Sequence, residues 1–175
     1  MQEIKNWKDI KASEDFERLT AGGYVCTIIH VEDEPNKQYL KVQYDIAEGD
    51  HKDHWASTNE RFGWWGGDFY RSYKDSAAGM FKGFINAVEG SNPGYTWSWN
   101  EKSLEGKMIG IVLGEEEYTG NDGSVKTRLK VKTVKTVKDI RDGKFRVPPL
   151  KRLEPTAEDK TVAETFEAID TDVPF

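Results

Sequence analysis

A single cysteine, Cys26, is all the thiol this chain has, which excludes an intrachain disulfide and suits a reducing cytoplasm. Long hydrophobic runs are also missing. The most apolar stretch, Met108 to Leu113, falls far short of the ~20 residues needed to span a bilayer, and the opening Met-Gln-Glu-Ile-Lys-Asn-Trp-Lys lacks an apolar signal core. There is no Walker loop, no Gly-x-Ser-x-Gly elbow and no Cys-x-x-Cys pair. His51-Lys-Asp-His54, with Asp50, reads as a hydrophilic surface turn and not as a metal site, since metal ligands usually project from fixed elements. In Glu115-Glu-Glu117, successive acids on a strand point to opposite faces, so they do not make a Mg²⁺ site. These absences lead to the expectation of a cytoplasmic, non-catalytic protein without a cofactor.

Aromatic residues, by contrast, are plentiful. They make up 12% of the 175 residues, within a hydrophobic content of 37%, which is enough for one globular domain with an appendage. Charge is unevenly spread. Residues 154–175 hold seven Asp or Glu against one Lys and so account for the whole net charge of −6. Residues 118–153 carry 11 cations against three anions, a basic band hidden by the acidic total. Phosphate responds to that local field and not to the sum.

Arg61 to Lys74 packs six aromatic residues and three cations into 14 positions around Gly63, Gly66 and Gly67. Rings that stack on bases and cations that neutralise phosphate are what a protein needs to hold a single strand without reading its sequence. An aromatic corner of an ordinary core has the same composition, so the remaining elements must decide.

Taken in order, residues 1–21 read as an arm that packs on the domain, with a short helical turn starting at Ser13-Glu-Asp-Phe. Tyr24 to Val31, rich in β-branched residues, is a first strand closed by the turn Asp33-Glu-Pro-Asn36. Tyr39 to Ala47 alternates, with Leu40, Val42, Tyr44 and Ile46 on one face and Tyr39, Lys41, Gln43 and Asp45 on the other. Trp55 to Phe62 is expected as a third strand, showing Trp55, Ser57, Asn59 and Arg61 on one side. Ser72-Tyr-Lys-Asp75 has the form of a capping box and starts a helix whose apolar stripe is Ala77, Phe81, Phe84, Ile85 and Val88. Tyr95 to Trp99 forms a second aromatic loop.

Met108 to Tyr118 is a strand, and Gly120-Asn-Asp-Gly123 is a hairpin turn of residues that tolerate positive φ. After it Lys126, Arg128, Lys130 and Lys132 alternate with Thr127, Leu129, Val131 and Thr133, giving one basic face. Like charges on one strand face repel unless a polyanion compensates them. Asp139 to Leu153 reads as a turn with a closing extended segment, and past Pro155 the composition is that of a disordered acidic tail.

The resulting order, β-β-β-α-β-β, is that of a mainly β, five-stranded Greek-key barrel of the OB type. A generic α+β sheet with one packed helix gives the same string. Residues 22–153 form the expected domain, between the arm and the tail at 154–175. Such barrels bind oligonucleotides or oligosaccharides across strands two and three. The expected nucleic-acid-binding residues are therefore Tyr39, Lys41, Trp55, Arg61, Trp64, Trp65, Arg71, Lys126, Arg128 and Lys130, with Phe62, Phe69 and Tyr73 anchoring the glycine-rich loop inward.

The last residues, Glu164-Thr-Phe-Glu-Ala-Ile-Asp-Thr-Asp-Val-Pro-Phe175, resemble the acidic tip of bacterial and phage single-stranded DNA-binding proteins. That resemblance implies a tip that docks on replication, recombination or repair proteins. Asp170, Asp172, Val173, Pro174 and Phe175 would do so: proline restricts the backbone, phenylalanine fills an apolar pocket, and a basic rim receives the carboxylates.

Over its length the chain also resembles small proteins encoded by phages, prophages and integrative elements of Gram-positive bacteria. The segments that carry this likeness are Ala21-Gly-Gly-Tyr-Val-Cys26, Tyr39 to Gly49, Arg71-Ser-Tyr-Lys74, Ser91-Asn-Pro-Gly-Tyr95 and Gly114-Glu-Glu-Glu-Tyr118. Single-stranded DNA binding in DNA replication or recombination is the leading expectation. The alternative is an accessory factor whose tip binds a replication protein while the domain touches no DNA, and a glycan-binding barrel ranks third. The sequence leaves homo-oligomerisation open.

Overall fold

The computed structural model describes residues 1–10 and 18–153, so the helical turn expected at Ser13 and the acidic tail with its tip lie outside the described residues. Five strands form one antiparallel sheet in the order β3-β2-β1-β4-β5. They are β1 (Gly22–Glu34), β2 (Tyr39–Ile46), β3 (Asp68–Ser72), β4 (Met108–Thr119) and β5 (Val125–Lys135). Helix α1 (His54–Phe62) precedes β3, α2 (Ala78–Ser91) connects β3 to β4, and α3 (Val137–Arg141) follows β5. The sheet is open: β3 and β5 are its edges, and no ladder joins them among the described residues.

The central strand β1 pairs with both neighbours, Cys26 lying opposite Ile46 of β2 and opposite Ile109 of β4. A bulge between Ile28 and His30 bends it and turns Ile29 out to solvent. The apolar alternation of β2 is realised, with Leu40, Val42, Tyr44 and Ile46 all buried. Helix α2 lays Phe81, Phe84, Ile85 and Val88 onto this face, each such side chain contributing ~1.5–3 kcal/mol of burial. Cys26 is fully buried here, and burial, followed by the nearby Asp45 carboxylate, pushes its thiol up, so it stays protonated and packs as a small hydrophobe.

Across the sheet, Val25 and Val112 form a second, smaller cluster with Val137 and Ile140 of α3. Glycine makes this layer fit. A Cβ at Gly110 would lie 2.5 Å from Ile140, and one at Gly23 would lie 2.5 Å from the Phe145 ring. Helix α3 replaces part of the turn expected from Asp139, with Thr136 capping it by accepting the Asp139 N–H at 3.1 Å. The expected extended segment survives at Lys151, which bridges Glu116 in parallel. In the arm, Leu19 is buried in the main core, whereas Ile4, Trp7 and Ile10 are exposed.

The third strand is displaced. Residues 54–62 are helical, and the strand lies further on, at Asp68–Ser72. The helix start is satisfied from a distance: the buried Asp45 carboxylate of β2 accepts the Trp55 N–H at 2.8 Å and the Ala56 N–H at 3.0 Å. Both are free donors of a first turn, which favours a carboxylate there. His54 and Thr58, one turn apart, are the buried residues of α1. Gly63, at φ +78°, ends it by donating to the Asn59 carbonyl at 2.8 Å.

The capping box at Ser72 also forms otherwise. Ser72 ends β3, its hydroxyl accepts the Lys74 N–H, and α2 starts later, after the short 3₁₀ turn Asp75–Ala77.

Candidate nucleic-acid interface

The Gly66-Gly67 step organises one side of this region. A Cβ at Gly66 would lie 2.5 Å from the Trp64 ring and 2.6 Å from the Trp55 ring, and one at Gly67 would run into Trp55 and the Tyr44 carbonyl. Two glycines therefore let indoles approach the backbone between α1 and β3 closely. Trp55 is half-buried and meets Tyr44 edge-on at 6.5 Å. Trp64 is 54% exposed and stacks on Phe62 at 6.4 Å, with 24° between the rings. Trp65 is half-buried and donates its indole N–H to the Gly67 carbonyl at 3.0 Å.

Facing these rings across the open seam is β5. The cleft between the two edge strands, about 430 Å³, is lined on one side by Trp55, Asp68, Phe69, Tyr70 and Arg71 and on the other by Arg128 and Lys130. It runs into a second hollow, of about 370 Å³, beside Trp64, Phe62, Arg18 and the Glu115 carboxylate.

Arg71 is the unusual residue. Its position opposite Leu40 turns it toward the core side of the sheet, and it is only 9% exposed. The guanidinium sits 4.9 Å over the Phe69 ring and gives one N–H to the Tyr70 carbonyl at 3.1 Å, while Nε has no acceptor. Among the described residues it forms no ion pair. Burial pulls its pKa below the ordinary arginine value.

The basic face of β5 is arranged differently from the sequence expectation. The anion that compensates it lies on the neighbouring strand: Glu116 of β4, 12% exposed at its side chain, contacts Arg128 at 3.0 Å, Lys130 at 3.4 Å and Lys132 at 3.0 Å. Burial would raise this carboxyl, but the hydrogen bonds from Lys132 and Arg128 and the charges of Lys130 and Lys132 outweigh it, holding the pKa at about 2. One carboxylate among three cations leaves the cluster positive, yet relieves the repulsion without any polyanion. Lys126, near the hairpin tip, lies 3.9 Å from Asp122. Arg128 also covers the Tyr118 ring at 4.9 Å.

The expected residues therefore divide. Trp55, Trp64, Arg71, Arg128 and Lys130 line the seam or the hollow that continues it. Tyr39 and Lys41 lie on the far face of β2, where Lys41 is 3.9 Å from Asp68. Arg61 is exposed at the end of α1, over the Phe62 ring at 5.2 Å. Of the anchors, Phe69 is buried and Tyr73 packs on the core, but Phe62 is 50% exposed because the helix ends there.

Tyr70 was missed as a site residue. It is 53% exposed, lies opposite Lys41 and meets Tyr39 edge-on at 5.1 Å. The alternation Phe69/Arg71 against Tyr70 would have revealed it, had the strand been placed at Asp68. His51 and His54 have rings 6.3 Å apart, and burial and then the His51 charge lower the His54 pKa. No cluster of three or more metal-ligating side chains occurs among the described residues, and none of their helices is long and apolar enough to cross a membrane. The tip residues Asp170, Asp172, Val173, Pro174 and Phe175 lie outside the described residues. Compared with known proteins, the chain matches no protein-family model and no curated sequence.

Proposed function

We propose that the chain binds single-stranded DNA, without catalysis and largely without reading sequence, along the seam between β3 and β5. The observation that carries this reading is Arg71: a nearly buried cation with no ion pair among the described residues, set in an open cleft with Arg128 and Lys130 opposite, exposed rings beside it, and Asp68, 3.9 Å from Lys41, as the carboxylate of the lining. An unpaired buried charge is costly, and a phosphate would supply the missing counter-ion through charge-assisted hydrogen bonds. Bases would stack on Trp64, Phe62 and Tyr70, each stacked base contributing ~1–3 kcal/mol. The sheet is read as an OB-type barrel left open at this seam, since that fold is often only partly closed. Such an activity suits phage or mobile-element replication and recombination, with Asp170 to Phe175 recruiting partner proteins.

Fluorescence titration with oligo-dT at two salt concentrations tests it. Tryptophan quenching should accompany binding, with log affinity falling against log salt at a slope of about −2 if Arg71, Arg128 and Lys130 each neutralise a phosphate. Trp64→Ala should weaken binding with little change in melting temperature. Absence of binding at low salt overturns the proposal. The second reading, an accessory factor that works only through its tip, draws on Glu116, which already compensates the hairpin cations.

A further inference from the structure

At another corner of the fold the rings keep different company. Tyr73 beyond β3, Phe81 of α2, and Trp97 and Trp99 of the following loop surround a pocket of about 220 Å³ whose remaining lining is Leu40, Asp33 and Glu101. The rings contact one another around Phe81: Tyr73 edge-on at 6.1 Å, Trp97 at 6.1 Å, and Trp99 parallel to within 12° at 6.3 Å. Trp99 is 78% exposed, although tryptophan is on average a largely buried residue. Its backbone is also in the left-handed region at φ +61°, an outlier for a bulky residue, and such strain concentrates at binding sites.

The electrostatics are those of a cation site. Among the described residues no Lys or Arg lines the pocket, and neither Asp33 nor Glu101 forms an ion pair. Asp33 instead accepts the Tyr73 hydroxyl at 2.8 Å. That hydrogen bond, then burial, then the nearby charges of Asp33, Glu34 and Glu101 raise the tyrosine pKa. Ring faces are electron-rich and attract cations, strongly where carboxylates stand beside them.

From this geometry we infer that the Tyr73–Phe81–Trp97–Trp99 pocket is a binding site for an arginine side chain presented by a protein partner. The volume lies below the roughly 300 Å³ where drug-sized pockets begin, which suits one side chain. A planar guanidinium can stack on an indole while forking onto a carboxylate, which a lysine ammonium does less well. The site is separate from the seam, and the same carboxylates would repel a nucleic-acid strand. The inference therefore stands or falls independently of the proposed DNA binding.

The test follows the indole N–H signals of the full chain by NMR during titration with acetyl-Gly-Arg-Gly-amide, its lysine counterpart, tetramethylammonium chloride and oligo-dT. The Trp97 and Trp99 signals should move with the arginine peptide, less with the lysine peptide and not with oligo-dT. Glu101→Gln and Trp99→Ala should each weaken the arginine response about tenfold at unchanged melting temperature, the scale of one well-placed cation–ring contact or charge-assisted hydrogen bond. No movement with the arginine peptide, arginine-peptide binding by both variants as tight as that of the unsubstituted chain, or a response to tetramethylammonium alone would each overturn the inference.

Discussion

Two ring clusters, both seated against the same core, differ in the charge brought to them. At the seam, Trp55, Phe62 and Trp64 lie near Arg18, Arg71, Arg128 and Lys130, four cations against the two carboxylates Asp68 and Glu115. At the α2 corner, Phe81, Trp97 and Trp99 lie near Asp33 and Glu101. In sequence each is a tryptophan-rich loop. An aromatic loop therefore says that something flat or apolar can be held, while the sign of the ligand is set by residues that the fold delivers from other strands. The packing differs as well: the seam rings rest on Gly66 and Gly67 with no room for a Cβ, whereas Trp99 stands in solvent.

The largest effect should come from filling the space under the seam rings. Gly67→Val would drive a side chain into Trp55 and the Tyr44 carbonyl. We expect a loss of about 3 kcal/mol in urea unfolding. A neutral result would mean that the seam rings are as loosely held as Trp99, and the comparison of packing would fail.

Next is Glu116→Gln. The native carboxyl is held at about 2, below its unfolded value, so its contribution is present above pH ~4.5 and is lost as pH falls toward 2. That contribution is on the order of 1–3 kcal/mol after discounting the half-exposed cations for screening. The variant should be less stable at neutral pH by this amount, and its acid-unfolding curve should be flatter between those pH values. It should also bind oligo-dT more tightly, because the hairpin cations are released. Weaker binding would show that Glu116 positions Arg128 for its ligand instead of competing with it.

The smallest effect on stability is expected at Arg71. Arg71→Met removes a buried, unpaired charge and keeps the unbranched apolar stem, so stability should hold or rise by up to ~1 kcal/mol. Affinity for oligo-dT should still fall about tenfold, with a shallower salt slope. A stability loss above ~2 kcal/mol with unchanged affinity would make Arg71 a packing residue, and the contrast in charge between the two clusters would lose its main support.

Local pattern carried much of the fold. The alternation of Leu40, Val42, Tyr44 and Ile46, the helical stripe from Phe81 to Val88 and the hairpin turn at Gly120 to Gly123 each depend on neighbours in sequence, and each is realised. The third strand was misplaced for a definite reason. The carboxylate that caps α1 comes from Asp45, which alternation puts on the exposed side of β2, and the nearer Asp53 is at φ +61° and gives no side-chain cap. A strand expected at 54–62 hides the phase of 68–72, and Tyr70 with it.

By itself, then, the sequence determined the apolar faces, the basic band, the concentration of rings and the acidic end, because composition and period are properties of the chain. Only the tertiary structure decided how the charges are matched. It set Glu116 beneath three cations of the adjacent strand, left Arg71 in an open seam without an ion pair among the described residues, and stood Asp33 and Glu101 beside Trp99. Coulomb interactions act across space between strands and loops far apart in sequence, and no local window records which of them will meet.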